Sequence, residues 1–123
     1  MTQEKIATAI ISAMGSLNSS IEAYGKKDEK QMTGFVWRAV AELEYALFFL
    51  SIQHQGEIET SSWKMSSQSK EFEVEPALSS AKNLLKGAKS SVEANDFLEA
   101  YKKTWLARNH LLKVQEVLEK KRE

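Results

Sequence analysis

The chain has 123 residues, with 17 Lys and Arg against 17 Asp and Glu, and 42% of its residues are hydrophobic. That is enough chain for one packed core without covalent staples, and the zero net charge argues against a broad grip on nucleic acid, which needs cations to neutralise many phosphates. Cysteine is absent, which excludes a disulfide framework, a thiolate nucleophile and Cys-ligated zinc, and suits a reducing cytoplasm.

The first helix is predicted over residues 2–24. Ile6, Ile10, Ala13, Leu17, Ile21 and Tyr24 recur at spacings of three and four, which puts them on one helical face. Thr2 supplies an N-cap, Gly25 a stop, and Lys26 and Lys27 complement the negative end of the helix dipole. The opening residues read as part of the fold rather than a signal peptide, because Glu4 and Lys5 interrupt them and the apolar spacing continues past Gly15. Gly15 itself either costs about 1 kcal/mol relative to alanine or marks a close helix crossing.

Asp28 followed by Gln31 has the form of a capping box, so a second helix is predicted over 29–55, with Gly56 as its stop. The link from the first is short, which makes the two helices antiparallel neighbours. The stretch FVWRAVAELEYALFFLSI is apolar nearly all the way round. Val36, Val40, Leu43, Leu47 and Leu50 form one stripe, Trp37, Ala41, Tyr45, Phe48 and Ile52 a second, and Phe35, Ala46 and Phe49 much of a third. A helix of that kind must be covered on several sides. Arg38, Glu42 and Glu44 within it exclude a membrane span.

Periodicity is lost over 57–75, EIETSSWKMSSQSKEFEVE. This segment reads as a disordered loop, a short β-hairpin or a crossover that wraps the bundle. Pro76 then suits a first helical position, and Ala77, Leu78, Ala81, Leu84, Leu85, Ala88 and Val92 give a third helix, 76–94, its face. Asp96 with Glu99 repeats the capping signal ahead of a fourth helix, 97–120, which carries Phe97, Ala100, Tyr101, Trp105, Leu111, Leu112, Val114 and Leu118. The expected fold is all-α: a four-helix bundle in one domain, 1–123, connected up-down-up-down or with one long crossover between the second and third helices.

An echo links the halves. Ser19-Ser20-Ile21-Glu22-Ala23 and Ser90-Ser91-Val92-Glu93-Ala94 each precede a turn and a helix with a tryptophan (Trp37, Trp105) and an alanine two places on (Ala39, Ala107). Two readings stand side by side, a pair of related hairpins about a pseudo-twofold axis and the chance recurrence of common helix residues. The two turns read as different in length.

Chemistry-bearing patterns are few. His54 and His110 have Ser51 and Ala107 three residues before them, so neither forms the Glu-x-x-His pair of a bundle metal site; no metal and no cofactor are expected. Glu42 and Glu44 are two residues apart and diverge by about 200° around a helix, so they cannot share a ligand from one side. Arg38, one turn before Glu42, suits an i,i+4 ion pair with it. Phosphate loops, nucleophile elbows and dinucleotide fingerprints are absent.

Lys82-Asn83-Leu84-Leu85-Lys86-Gly87-Ala88 resembles the short signature of histidine phosphotransfer domains. Asn83 stands where that family has its phosphorylated histidine, and an amide has no nucleophilic ring nitrogen. The stretch EANDFLEAYKKTWLARNHLL resembles the hairpin entry of tetratricopeptide-like repeats and of small HEPN-type bundles. Nuclease members of the latter carry arginine, four to six residues, then histidine, a spacing that Arg108-Asn109-His110 lacks, so the resemblance implies a bundle without that nuclease chemistry.

The functional expectation comes from the second helix. Trp37, Tyr45, Phe48 and Ile52 lie opposite its core stripe and need a cover, either the Trp63–Val74 segment or another subunit. Aromatic-rich faces of this kind resemble obligate interfaces, so a non-enzymatic homodimer or protein-interaction module is expected, with no catalytic residue and no membrane. The alternative is a helical enzyme acting on a small molecule or nucleotide, its site near Arg38, Glu42, Glu44 and His110. A third reading, weak RNA binding by a HEPN-like bundle, needs a contiguous basic face that includes Lys102, Lys103 and Arg108.

Overall fold

The structure, a computed structural model, describes residues 2–54, 57–60, 63 and 73–122. Four helices account for nearly all of them: α1 (Thr2–Gly25), α2 (Glu29–His54), α3 (Val74–Glu93) and α4 (Phe97–Arg122). They pack as an all-α four-helix bundle, and no strand occurs among the described residues. The expected stop at Gly56 lies outside those residues.

The two tight turns are alike. In each, the residue before the aspartate takes a left-handed backbone, Lys27 at φ 59° and Asn95 at φ 62°. The N–H of Asp28 reaches the carbonyl of Ala23 at 2.9 Å, and that of Asp96 reaches Ser91 at 2.8 Å, the six-residue closure of a Schellman turn. Each aspartate then caps the next helix, Asp28 Oδ1 accepting from Gln31 N–H and Asp96 Oδ1 from Glu99 N–H, both at 3.2 Å. The predicted capping boxes are therefore half made. Their reciprocal bond would need the aspartate N–H, which the preceding helix already uses. Gly25 is not the left-handed stop; it is the last residue of α1, and Lys27 takes that conformation.

Asp28 and Asp96 are 68 positions apart, as are Trp37 and Trp105, and this offset relates the two hairpins throughout. Met32, Val36, Ala39, Leu43, Ala46, Leu47 and Leu50 are the buried residues of α2. Their counterparts Ala100, Thr104, Ala107, Leu111, Val114, Gln115 and Leu118 are all buried on α4. On α1 and α3, Ile6 and Val74, Ala9 and Ala77, Ile10 and Leu78, Ala13 and Ala81, and Leu17 and Leu85 correspond in the same way. The turns are thus equal in length. The serine pentads, 71 positions apart, are three residues out of this register, which is why the turns read as unequal.

The hairpins meet with every neighbouring pair antiparallel. α1 contacts α2 and α3, α4 contacts α2 and α3, and the pairs α1/α4 and α2/α3 are diagonal. Gln3 near the start of α1 donates to the carbonyl of Val92 near the end of α3, at 3.0 Å. At the far end of the bundle, Tyr24, Lys27, Glu29, Val74 and Leu118 line a common pocket of about 390 Å³, so α2 and α3 both start there. The middle helices are therefore parallel, and the chain takes the long-crossover connection rather than up-down-up-down. Residues 55–73 must travel the length of the bundle, roughly 40 Å for a 26-residue helix, and an extended chain of that length reaches about 60 Å.

Trp63 is placed by its ring contacts. Its ring centroid lies 5.9 Å from that of Tyr101 and 5.5 Å from that of Trp105, so the chain at this residue lies over α4, a helix between α2 and α3. The α3 helix begins two residues before the expected Pro76, with Val74 buried against the core. Pro76 fits in that first turn because its missing N–H has no helical acceptor there.

Alanine fills many of the core positions, among them Ala9, Ala13, Ala39, Ala46, Ala81 and Ala107, between fully buried Leu43, Leu78, Leu85 and Leu111. Short side chains at helix seams favour close approach of the axes, toward the lower end of the usual range of about 8–10 Å. Gly15, by contrast, marks no close crossing: a Cβ there would meet nothing within 4 Å.

Lys27→Gly is expected to raise stability by about 0.5–1 kcal/mol by removing the left-handed penalty of a side chain, and Asn95→Gly by less, because asparagine tolerates that region. Urea midpoints of the two variants check the order. Trp63→Ala removes two ring contacts worth about 0.5–1.5 kcal/mol each, and the same titration reads the loss.

Candidate functional site

The outer face of α2 is set by the helix repeat. With Val36, Leu43 and Leu50 fully buried, residues 37, 41, 45, 48 and 52 fall about 120–200° away and face outward. Trp37 is 54% exposed, Tyr45 49%, Phe48 60% and Ile52 52%. The stripe from Trp37 to Ile52 runs about 22 Å along the helix. Phe49, half buried at its edge, holds two of the rings in edge-to-face contact, Tyr45 at 4.8 Å and Phe48 at 5.3 Å. Lys5 Nζ sits 5.5 Å from the Phe49 ring centroid, closing that edge from α1.

The second hairpin supplies an internal control for this face. The positions 68 residues on from Ala41, Tyr45, Phe48 and Ile52 are Asn109, Lys113, Glu116 and Lys120. There Glu116 pairs with Lys113 at 3.8 Å and with Lys120 at 3.5 Å, an ordinary solvated helix surface. The counterpart of Trp37 is Trp105, which Trp63 covers. Trp63, the described residue of the expected covering segment that makes ring contacts, thus serves α4 and not α2.

The polar candidates separate. Glu42 turns toward α1, where it accepts hydrogen bonds from Ser12 and, at 3.0 Å, from Ser16. Arg38 makes no ion pair with it; both line an open groove of about 700 Å³ between α1 and α2, together with Glu4, Lys5, Ser12 and Tyr45. Glu44 points to the other side, toward α4, and pairs with Arg108 at 2.8 Å. His110 is on α4, its Nδ1 buried without a hydrogen-bond partner among the described residues. The four groups expected around one pocket therefore sit on different sides of α2 and on a second helix. The i,i+4 spacing of Arg38 and Glu42 signals proximity, but Ser12 and Ser16 on α1 claim the carboxylate.

The basic residues of α4 do not form one face either. Lys102, Lys103 and Arg108 leave the helix in three directions at 100° per residue. Lys103 lies across Gly87, reaching Ser91 Oγ at 3.4 Å and Glu99 at 3.9 Å, while Arg108 is spent on Glu44. Asn83, at the phosphotransfer-like position, is exposed on α3. Among the described residues no three His, Asp or Glu side chains are placed to hold a metal ion, and no helix is long and apolar enough to cross a membrane. The Arg108–Glu44 pair, 64 residues apart, had no sequence signal. The contrast between the outer faces of α2 and α4 did have one, once the 68-residue register is known.

In comparisons with known proteins, no family model, curated protein or solved structure matches the chain.

Burial holds the pKa of His110 below its ordinary 6.5, because the charged ring loses its hydration. Unfolded, the same ring takes up a proton near 6.5, so just below that pH the unfolded chain binds more protons and stability falls as pH falls. Unfolding free energies measured from pH 8 to pH 5 are expected to decline below about 6.5, and His110→Gln to remove that part of the slope.

Proposed function

We propose that the protein is a non-enzymatic association module whose working surface is the outer face of α2, with homodimerisation as its simplest form. The observation that carries this is the contrast between two equivalent helices. Where α4 presents a paired Lys–Glu–Lys surface, α2 presents tyrosine, phenylalanine and isoleucine, so the fold does not demand apolar residues there. Four large side chains about half exposed offer roughly 400 Å² of apolar area, in the range of the largest patches on monomers, which are often functional. A standard interface takes about 800 Å² from each partner, so the stripe with its polar rim is of the right size. The separation of Arg38 and Glu42 from Glu44 and His110 weighs against an assembled acid–base site, which needs converging groups.

Sedimentation equilibrium tests the proposal. The intact chain is expected to show a concentration-dependent mass above its 13.9 kDa monomer, Phe48→Glu to restore the monomer with unchanged thermal stability, and Glu116→Lys at the equivalent position of α4 to leave association intact. A monomer throughout, with Phe48→Glu unfolding the chain, would assign the face to the internal core and end the proposal.

A further inference from the structure

The α2 stripe has a single gap, Ala41, among four large side chains, an uneven surface that selects an orientation. We infer that the occupant of this face is a second copy of the chain, docked α2 against α2 about a twofold axis, with the two helices antiparallel. The inference rests on the reading of α2 as an association surface.

The stripe holds four large groups and one gap. Ala41 is exposed and small, between Trp37 and Tyr45, while Phe48 is the most exposed of the four large side chains. An axis passing between Glu44 and Tyr45 sets Ala41 across from the partner's Phe48 and, in the same register, Trp37 across from the partner's Ile52. Each copy then inserts its most prominent ring where the other has its smallest residue, twice over. A parallel pairing would set Trp37 on Trp37, Phe48 on Phe48 and Ala41 on Ala41, stacking bulk on bulk and leaving a void between, which close packing disfavours.

The charges at the rim agree. Arg38 and Glu4 lie on the same flank of the stripe, toward opposite ends of the groove they both line. Neither has an ion pair among the described residues. An antiparallel twofold brings like flanks together and reverses them end to end, so Arg38 of each copy meets the partner's Glu4. A parallel twofold would set this flank against the partner's opposite flank, where Glu44 is already paired with Arg108. On the other flank Glu44 lies nearest the axis, and its charge is already matched by Arg108 at 2.8 Å within the same chain, so the axis does not bring two bare carboxylates together. Antiparallel contact is also how the two hairpins of this chain meet each other.

The native chain has no cysteine, so single introduced cysteines report the register directly. A disulfide requires Cα atoms within about 7 Å. Tyr45→Cys, beside the axis, is expected to form a linked dimer under mild oxidation. Ala41→Cys alone is expected not to link, being about 10 Å from its own mate along the helix, but to link when mixed with Phe48→Cys. Arg38→Glu is expected to weaken association at least tenfold, and Glu4→Arg added to it to restore most of the loss. Efficient linking of Ala41→Cys to itself, or a dimer in which none of these pairs links, overturns the orientation while leaving the association surface standing. A chain that sediments as a monomer at every concentration removes the second copy as occupant, and Phe48→Glu unfolding that monomer removes the association surface as well.

Discussion

A helical hairpin can bury only the face its two helices share, so each half of this chain is incomplete until the other half lies on it. The two halves bury matching positions, 68 residues apart, and pack as pseudo-symmetric partners in which every helix finds antiparallel neighbours. The rest follows from that packing. The second and third helices become diagonal and parallel, a short turn between them is impossible, and a segment long enough to run the length of the bundle must connect them. Trp63 then has a place to dock, in the aromatic pair that α4 carries on its outside.

How legible this was depends on the range of each interaction. Helix positions were written locally: apolar residues at spacings of three and four, and Asp28 and Asp96 ahead of their helices, placed three of the starts to within a residue. Gly25 marks the end of α1 as its residue type suggests, but the left-handed turn residue is Lys27, which has no such local signature. The repeat shows in Trp37 and Trp105, but the serine pentads that also suggest it are three residues out of step. Topology was not legible, since an antiparallel and a crossover bundle ask the same pattern of each helix and differ only in which hairpin face meets which. The Arg108–Glu44 pair depends on that choice and was hidden with it.

The two hairpins have the same backbone plan and different surfaces, and this separates what the fold requires from what it merely carries. Buried positions agree in α2 and α4 down to Leu43 and Leu111, and Leu50 and Leu118. Even here the second hairpin departs, with Thr104 and Gln115 in the core where the first has Val36 and Leu47. Outside, Tyr45, Phe48 and Ile52 stand where Lys113, Glu116 and Lys120 form ion pairs. An apolar surface on one copy of a repeated unit is therefore a property of that helix and not of the architecture, as is the groove beside it, where Ser12 and Ser16 draw Glu42 away from Arg38.

The three tryptophans divide by environment. Trp63 and Trp105 meet edge to face, 5.5 Å between centroids, close enough for their indole transitions to couple, whereas Trp37 stands apart on the outer face of α2. The chain thereby carries two native chromophores of different meaning: an asymmetric pair whose near-ultraviolet circular dichroism registers whether Trp63 is docked, and a single solvent-facing indole whose emission registers what covers α2. Docking of Trp63 and occupancy of the face are optically separable without any label.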